Sequence, residues 1–398
     1  MASPIFIFAG GGTGGHLYPG LAVAEKLAGL CPDANVVFAC SQRPIDRRVL
    51  DGEPYAVVPQ PVRPMPRGLG GWAGFVRAYV ASWLQARQML ADLRPAAVLG
   101  LGGFAAGPIV ARAAARGVPA ALLNPDAVPG RANRLLARRV DVIFTQFDAT
   151  AERFAPRLRD KVRAAGCPLR AALTAARRDE AMRHFGLDAA RRTLLVNGGS
   201  LGAASINDAV AILADDLAAL SANWQVLHVT GPSKLDTQPS SPPSPDRKLG
   251  THPSFSPAAL ANRAAGAAGN GARAFFPLEY CHRMDLAYAA ADLAVCRGGA
   301  GTVAELAVTA TPAVILPYPF HADRQQQLNA ARLVGAGGAV VCDDAADAPV
   351  NAARLRDVLL PLMADAPRLE EMRRAAASVA RGDAAQQVAA WLVEQLAR

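Results

Sequence analysis

Three times in this 398-residue chain an apolar run ends in a glycine-rich turn that opens into an alanine- and leucine-rich stretch of helical character. The junctions are PIFIFA-GGGTGGH-LYPGLAVAEKL, RTLLV-NGGSLG-AASIND and LAV-CRGGAG-TVAELA. A strand that hands over to a helix within a few residues needs a backbone free of side-chain clashes, and glycine supplies it. The same turn leaves the first N–H groups of the helix without intrahelical partners, where they attract anions. Two explanations are open for any one turn: a tight strand-to-helix connection, or a cradle for a phosphate. Three such turns together fit a transferase with a nucleotide donor and a phosphorylated acceptor.

Strand-like and helix-like segments alternate along the chain, which argues for parallel βαβ units. PIFIFA, ANVVFAC, AAVLGLG, PAALLN and VDVIFT form a first series, with candidate helices such as 17–30 and 107–116 among them. RTLLVNGGS, WQVLHVTG, LAVCRGG, PAVILPY and AVVCDD form a second. The expected fold class is α/β, with two similar parallel-sheet halves joined near Cys167–Ala172 and facing a crevice, where open sheets of this kind bind ligands. Residues 1–168 make the first expected domain and 169–366 the second; 367–398, helical in pattern, are expected to pack back on the first. Residues 234–273, rich in Pro, Ser, Gly and Ala, read as a solvated low-complexity insertion in the second domain.

With 52% hydrophobic residues the chain can bury large cores. Its uncharged stretch 95–111 is broken by glycines and a proline and falls short of the roughly 20 residues of a spanning helix. The first residues do not read as a secretory signal. The six cysteines (31, 40, 167, 281, 296 and 342) show no CxxC pair and no metal-ligand spacing, which fits a reducing cytoplasm. Charge is uneven: residues 1–168 carry 20 Lys+Arg against 11 Asp+Glu, whereas 169–398 carry 22 of each. Arginine-rich codon usage explains such an excess trivially; an anionic partner, a phospholipid surface or nucleic acid, explains it functionally. Arg63, Arg67, Arg77, Arg87 and Arg94 accompany Trp72, Phe75, Tyr79 and Trp83, which recur at helical spacing. That stripe serves either core packing or shallow insertion among headgroups. No nucleic-acid-binding module accompanies it, so nucleic acid is not an expected partner.

Two familiar nucleotide motifs fail on detail. Gly10-x-Gly12-x-x-Gly15 follows a strand as the dinucleotide fingerprint does, but that fingerprint needs an acidic residue at the end of the second strand, where this chain has Ser41, Gln42 and Arg43. No GK[ST] follows a glycine cluster, which removes the Walker loop. His16 is then the candidate base, because imidazole titrates near neutral pH; its other reading is a helix-start histidine that only bonds the loop. With no acidic pair at ligand spacing, neither a metal nor another cofactor is expected; helix N-termini and an arginine would carry the charge of a departing diphosphate.

Six stretches, GGGTGGHLYPGLAVAEKL, LGLGGFAAGPIVARAAARGVP, VPGRANRLLA, LLVNGGSLGAASIN, CRGGAGTVAELA and PYPFHADRQQQLNA, together resemble the MurG family over most of residues 4–342. The resemblance implies a GT-B fold of two Rossmann-like domains. It implies an inverting transferase that moves N-acetylglucosamine from UDP-N-acetylglucosamine to undecaprenyl-pyrophosphoryl-N-acetylmuramyl-pentapeptide in peptidoglycan synthesis, held peripherally on the cytoplasmic face of the cell membrane. By resemblance His16 is the base, with Thr13, Gly14 and Gly15 at the crevice floor. Arg170 and Ser200 meet the donor, Cys281 touches uracil through its backbone, and Gln325 and Gln326 hold the sugar hydroxyls. Ala300, Gly301, Thr302, Val303 and Glu305 continue the nucleotide site, with Glu305 accepting from the ribose. From the residues alone, Glu305 also suits the early part of a helix through its dipole, and the glutamines suit a solvated loop.

The chain departs from the family where His-Glu-Gln-Asn is usual: it has Leu123, Asn124, Pro125 and Asp126. Asp126 stands for an amide at the donor sugar, and an ionised carboxylate can only accept. Two alternatives stay open on that account. One is a GT-B transferase acting on a different lipid; the other is a catalytically silent protein that binds a UDP-sugar or a polyprenyl diphosphate.

Overall fold

A computed structural model describes residues 3–66, 68, 70–200, 202–231 and 273–397. The expected insertion at 234–273 lies outside the described residues except for Arg273. The chain forms two compact units: Met1–Arg170 with Arg381–Arg398, and Ala171–Ala380.

Unit 1 contains β1 (Ile5–Gly10), α1 (Gly14–Leu30), β2 (Asn35–Ser41), α2 (Pro44–Leu50), β3 (Ala56–Gln60), α3 (Trp72–Leu93) and β4 (Ala97–Gly102). It continues with α4 (Gly107–Ala115), β5 (Ala120–Asn124), α5 (Arg131–Leu136), β6 (Val142–Thr145) and β7 (Val162–Ala164). The strands pair in parallel in the order β3-β2-β1-β4-β5-β6-β7. Side chains alternate across the sheet. Phe6, Phe8 and Phe38 pack on the α1 side, and Ile7, Ala9, Val37 and Ala39 pack on the α3–α4 side. Because both faces are covered, these strands read as continuous apolar runs. The strands β3 and β7 were not in the expected series; both lie at sheet edges, one carries a proline and the other has three residues with no fully buried position.

Unit 2 repeats the plan with α6 (Ala172–Ala175), α7 (Arg178–Phe185), β8 (Arg192–Asn197), α8 (Ala204–Ile212), α9 (Ala214–Ala219), β9 (Trp224–Val229) and β10 (Phe275–Leu278). Then follow α10 (Met284–Ala290), β11 (Leu293–Cys296), α11 (Ala300–Val308), β12 (Ala313–Ile315), α12 (Gln325–Gly335), β13 (Ala339–Val341), α13 (Ala348–Ala364) and α14 (Ala366–Ser378). Its parallel order is β10-β9-β8-β11-β12-β13. In each sheet the chain builds outward from a central strand and then returns to that strand's other side. Strand order therefore reverses between β1 and β4 and between β8 and β11, the positions where such sheets open a ligand crevice at their carboxyl ends.

The C-terminal helices divide between the units, which corrects the expectation for 367–398. Leu369 and Met372 of α14 are buried in the core of unit 2, and Ala376 packs against Gly338 there. Those apolar positions, at i, i+3 and i+7, make a helical stripe that α14 can bury only where they already face. The last helix, α15 (Ala384–Glu394), belongs to unit 1. Its Val388, Trp391 and Leu392 join the core beside α1, and Trp391 meets Phe144 edge-on at 6.3 Å. Arginines sit at both chain crossings and bond within unit 1: Arg170 to Glu25 and Glu53, and Arg381 to Asp148 and the Ala164 carbonyl.

The aromatic stripe of α3 divides between the core and the surface. Trp72, Phe75, Tyr79 and Trp83 form a ladder of rings 5.7, 6.2 and 6.2 Å apart. Trp83 turns inward against the core, under the Arg112 guanidinium, whereas Trp72, Val76, Tyr79, Val80 and Leu84 face out.

A buried imidazole gives the fold a measurable pH dependence. His228 of β9 lies with Nε2 3.0 Å from Asn207 Oδ1, and burial holds its pKa down to about 3. The unfolded chain takes up this proton near about pH 6.5 and the folded chain does not until about 3, so stability falls as pH drops through that window. We expect His228 to steepen the fall of unfolding free energy by ~1.4 kcal/mol per pH unit between about pH 5.5 and 4. In denaturant titrations His228→Gln should flatten the slope by that amount; an unchanged slope would contradict a neutral buried ring.

Candidate active site

In unit 1 the sequence GGGTGGH places His16 in the first turn of α1, directly after β1. The register pairs Gly10 with Gly102, which brings the turn after β4 alongside. The imidazole lies against that second turn: a Cβ on Gly102 would come within 2.9 Å of His16 Cδ2, and one on Gly103 within 3.3 Å of Nδ1. The GG of LGLGGF is therefore the space that the ring occupies. Thr13 Oγ1 is 3.0 Å from His16 Nδ1, and the ring also bonds to the Gly11 backbone. A neutral imidazole that gives its one N–H to a carbonyl keeps a lone pair on the other nitrogen. Partial burial holds the ring's pKa below its ordinary value, with Asp126 and then Asp46 pulling the other way. The result is a neutral ring near pH 7, the state a general base requires.

Asp46 is a residue at this turn that the sequence does not single out. It is fully buried, and its carboxylate accepts from Gly12 N (2.7 and 2.9 Å), Ser41 N (2.9 Å) and Ser41 Oγ (2.5 Å). Gly11 has no Cβ because one would run into this carboxylate. Arg43 closes the same turn, donating to the Gly12 carbonyl at 3.1 Å and lying over the Phe104 ring. The carboxylate absent from the end of β2 thus comes from α2, and it grips the glycine turn itself. The Gly12 amide is satisfied by the protein's own anion, unlike the ligand cradle expected of all three turns. An acid within RPIDRR was the available signal.

The departure at 123–126 is built into the fold. Asn124 donates to the Asp126 carbonyl at 2.7 Å, and Asn133 of α5 donates to the Leu123 carbonyl and to Asn124 Oδ1, each at 3.0 Å. Asn124 is thus a strut of this loop.

In unit 2 the last residues of β8 and β11, Asn197 and Cys296, are register partners, so the NGGS and RGGA turns lie side by side. Ala300, Gly301, Thr302 and Val303 open α11 with no acidic residue in its first turn, and a Cβ on Gly301 would meet nothing within 4 Å. Gly298 is glycine for a different reason: the Gln326 backbone packs where its Cβ would be. Gln326 Oε1 accepts from Tyr318 N at 2.8 Å, and Asn329 donates to the Gly298 carbonyl at 3.1 Å. The start of α12, with Gln325 and Gln326, is thereby fixed beside the start of α11. Glu305, half-buried on α11, accepts from the Tyr288 phenol at 2.9 Å, and burial pushes its carboxyl pKa up. Ser200 sits in the turn after β8.

A second missed residue, Arg297, ties the two turns together. It bonds Asp344 at 2.7 Å and Ser205 of α8 at 2.7 Å, while Ser205 donates to Asp344 at 2.6 Å. Two expected residues stand apart from this grouping. The thiol of Cys281, in the connection between β10 and α10, is buried and pushed up to about 11. Arg170 is held at 2.6 Å by each of Glu25 and Glu53, in unit 1. Among the described residues no three His, Cys, Asp or Glu side chains gather as a metal site would require.

Residues 6–145 match the glycosyltransferase family 28 N-terminal domain, and 193–388 match the family 28 C-terminal domain. Two parallel-sheet units with these turns at their strand-order reversals are those of a GT-B glycosyltransferase. A protein of Acidothermus cellulolyticus named UDP-N-acetylglucosamine--N-acetylmuramyl-(pentapeptide) pyrophosphoryl-undecaprenol N-acetylglucosamine transferase is 38% identical over 98% of this chain and 97% of its own. One of the same name from Leifsonia xyli subsp. xyli is 37% identical over 97% of each. The crystal structure of Acinetobacter baumannii MurG has a similar fold, with a TM-score of 0.67 at 23% identity over 98% of this chain and 99% of that one. The chain belongs to the MurG family.

Because burial keeps His16 neutral, the acid limb of kcat/KM should lie below about pH 6.5. His16→Ala should slow turnover by about 10²- to 10⁴-fold; full activity in that variant would remove histidine from the chemistry. Asp46→Ala leaves the Gly12 and Ser41 amides unpaired and should cost about 2–4 kcal/mol in unfolding free energy.

Proposed function

We propose that this chain transfers N-acetylglucosamine from UDP-N-acetylglucosamine to the muramyl sugar of undecaprenyl-pyrophosphoryl-N-acetylmuramyl-pentapeptide, with inversion at the sugar carbon. The observation that carries this reading is His16, the one histidine of unit 1, neutral and seated in a glycine-lined niche. As the acceptor hydroxyl attacks the anomeric carbon, its proton passes to the imidazole, and the bond to UDP breaks on the opposite face. Thr13, Gly14 and Gly15 border the base. The growing charge on UDP falls to Ser200 and to the N–H groups of Ala300, Gly301, Thr302 and Val303, preset donors that need no reorganisation.

Glu305 accepts from the ribose, the Cys281 backbone meets uracil, and Gln325 and Gln326 hold the sugar hydroxyls. Arg170 reaches the donor only by leaving Glu25 and Glu53. Asp126 acts on the base by raising its proton affinity and accepts a hydroxyl where the family has an amide.

We further propose that unit 1 binds peripherally to an anionic lipid surface on the cytoplasmic face of the membrane. The exposed Trp72, Val76, Tyr79, Val80 and Leu84 of α3, together with Leu135 of α5, would enter the headgroup layer, and the exposed Arg77, Arg87, Arg131, Arg134 and Arg138 would meet phosphates. No helix among the described residues is long and apolar enough to cross a membrane.

Purified protein given UDP-N-acetylglucosamine and a short-chain lipid-linked muramyl-pentapeptide should release UDP only when the acceptor is present. Release with a different lipid acceptor alone, or donor binding without turnover, would favour one of the two alternative readings. Co-sedimentation with anionic vesicles should weaken with salt and drop about tenfold in a Val76→Glu, Leu84→Glu double variant that still turns over the short-chain acceptor; equal binding to neutral vesicles would refute the lipid surface.

A further inference from the structure

The side chain that connects the two halves of the nucleotide site is Tyr288, which none of the assigned roles uses. It is 3% exposed on α10, and its phenol donates to Glu305 Oε2 at 2.9 Å. The Asn197 side chain bonds to the same phenol. Asn197 Oδ1 already accepts the Gly199 N–H at 2.9 Å, so the amide end of Asn197 is the part that faces the ring oxygen. The hydrogen bonds then run in one direction: Gly199 N–H to Asn197, Asn197 to Tyr288, Tyr288 to Glu305. Each donor polarises the next in a chain of this kind.

We propose that Tyr288 is a positioning residue for nucleotide recognition, which fixes Glu305 for the ribose and locks it in register with the turn after β8 that receives the diphosphate. The proposal rests on Glu305 being the ribose contact. With Oε2 held by the phenol, Oε1 is the oxygen turned to the ribose hydroxyls. By donating to it the phenol favours the charged form of the half-buried carboxyl against the burial that pushes its pKa up, and burial keeps the phenol itself protonated and therefore a donor. Without the Tyr288 hydroxyl, Glu305 loses its fixed rotamer and Asn197 loses the acceptor that orients it.

Calorimetric titration of the full chain with UDP and with 2′,3′-dideoxy-UDP tests this. The wild-type protein should prefer UDP by about tenfold or more, the discrimination of a site built to bond a hydroxyl through a charged acceptor. In Tyr288→Phe, UDP should weaken by about tenfold while the dideoxy compound is unchanged, so that the preference falls below about threefold. A variant that keeps the full preference overturns the role of Tyr288. A wild-type protein that shows no preference overturns the ribose contact of Glu305 instead, and the two failures are separate results. Should Tyr288→Phe not fold, Asn197→Asp retains the acceptor for Gly199 but sets a second acceptor against the phenol. It should also lose the preference, and retention would overturn the relay.

Discussion

The structure depends on the parallel pairing of each unit's first strand with the strand that returns to its other side. β1 with β4, and β8 with β11, are the pairings at which strand order reverses. Parallel ladders hold their register only when both faces are buried, and the apolar residues of these strands supply that burial. The turn after the first strand of each unit therefore emerges beside the turn after the returning strand. In unit 1 this sets His16 against Gly102 and Gly103; in unit 2 it sets Asn197–Ser200 beside Arg297–Ala300. The register fixes the chemistry because a slip by one residue would turn every strand side chain to the other face.

Electrostatics then differentiates turns that look alike. At the first turn Asp46 fills the anion position, so the loop is rigid and its charge balanced before any substrate arrives. At the turn after β11 no acid occupies the first turn of α11, and the buried Arg297–Asp344 pair anchors the loop without covering the helix end. A buried ion pair of this sort is weak support for stability, but its guanidinium fork suits the fixing of two loops at once. One unit thus holds a neutral imidazole in a glycine-lined niche, and the other holds a helix N-terminus with no acid in its first turn.

Much of the fold was legible because fully buried strands write themselves as unbroken apolar runs between glycines. The elements that escaped were those without that signature: β3 and β7 at edges, and β10, whose FFPL carries a proline. The division between α14 and α15 was hidden because both are amphipathic, and amphipathicity says that a face is buried without saying against what. Local glycine motifs pointed to His16, Ser200 and Ala300, which lie in the turns or at the helix starts that follow them. Asp46 acts from a helix rather than from a strand end, and Asn197, Tyr288 and Glu305 lie on three separate elements that only the register gathers. The stripe of α3 was ambiguous in sequence because it is ambiguous in space, with Trp83 inward and Trp72 outward.

Along the sequence unit 2 interrupts unit 1, since the chain leaves after Arg170 and re-enters at Arg381. On the ribosome, the second unit is complete once residue 380 has emerged, whereas the first still lacks Val388, Trp391 and Leu392. The groove beside α1 and Phe144 that these side chains fill stays open to solvent throughout the synthesis of some two hundred intervening residues. The nascent protein thus carries an apolar gap in its earliest-made part until its final helix docks.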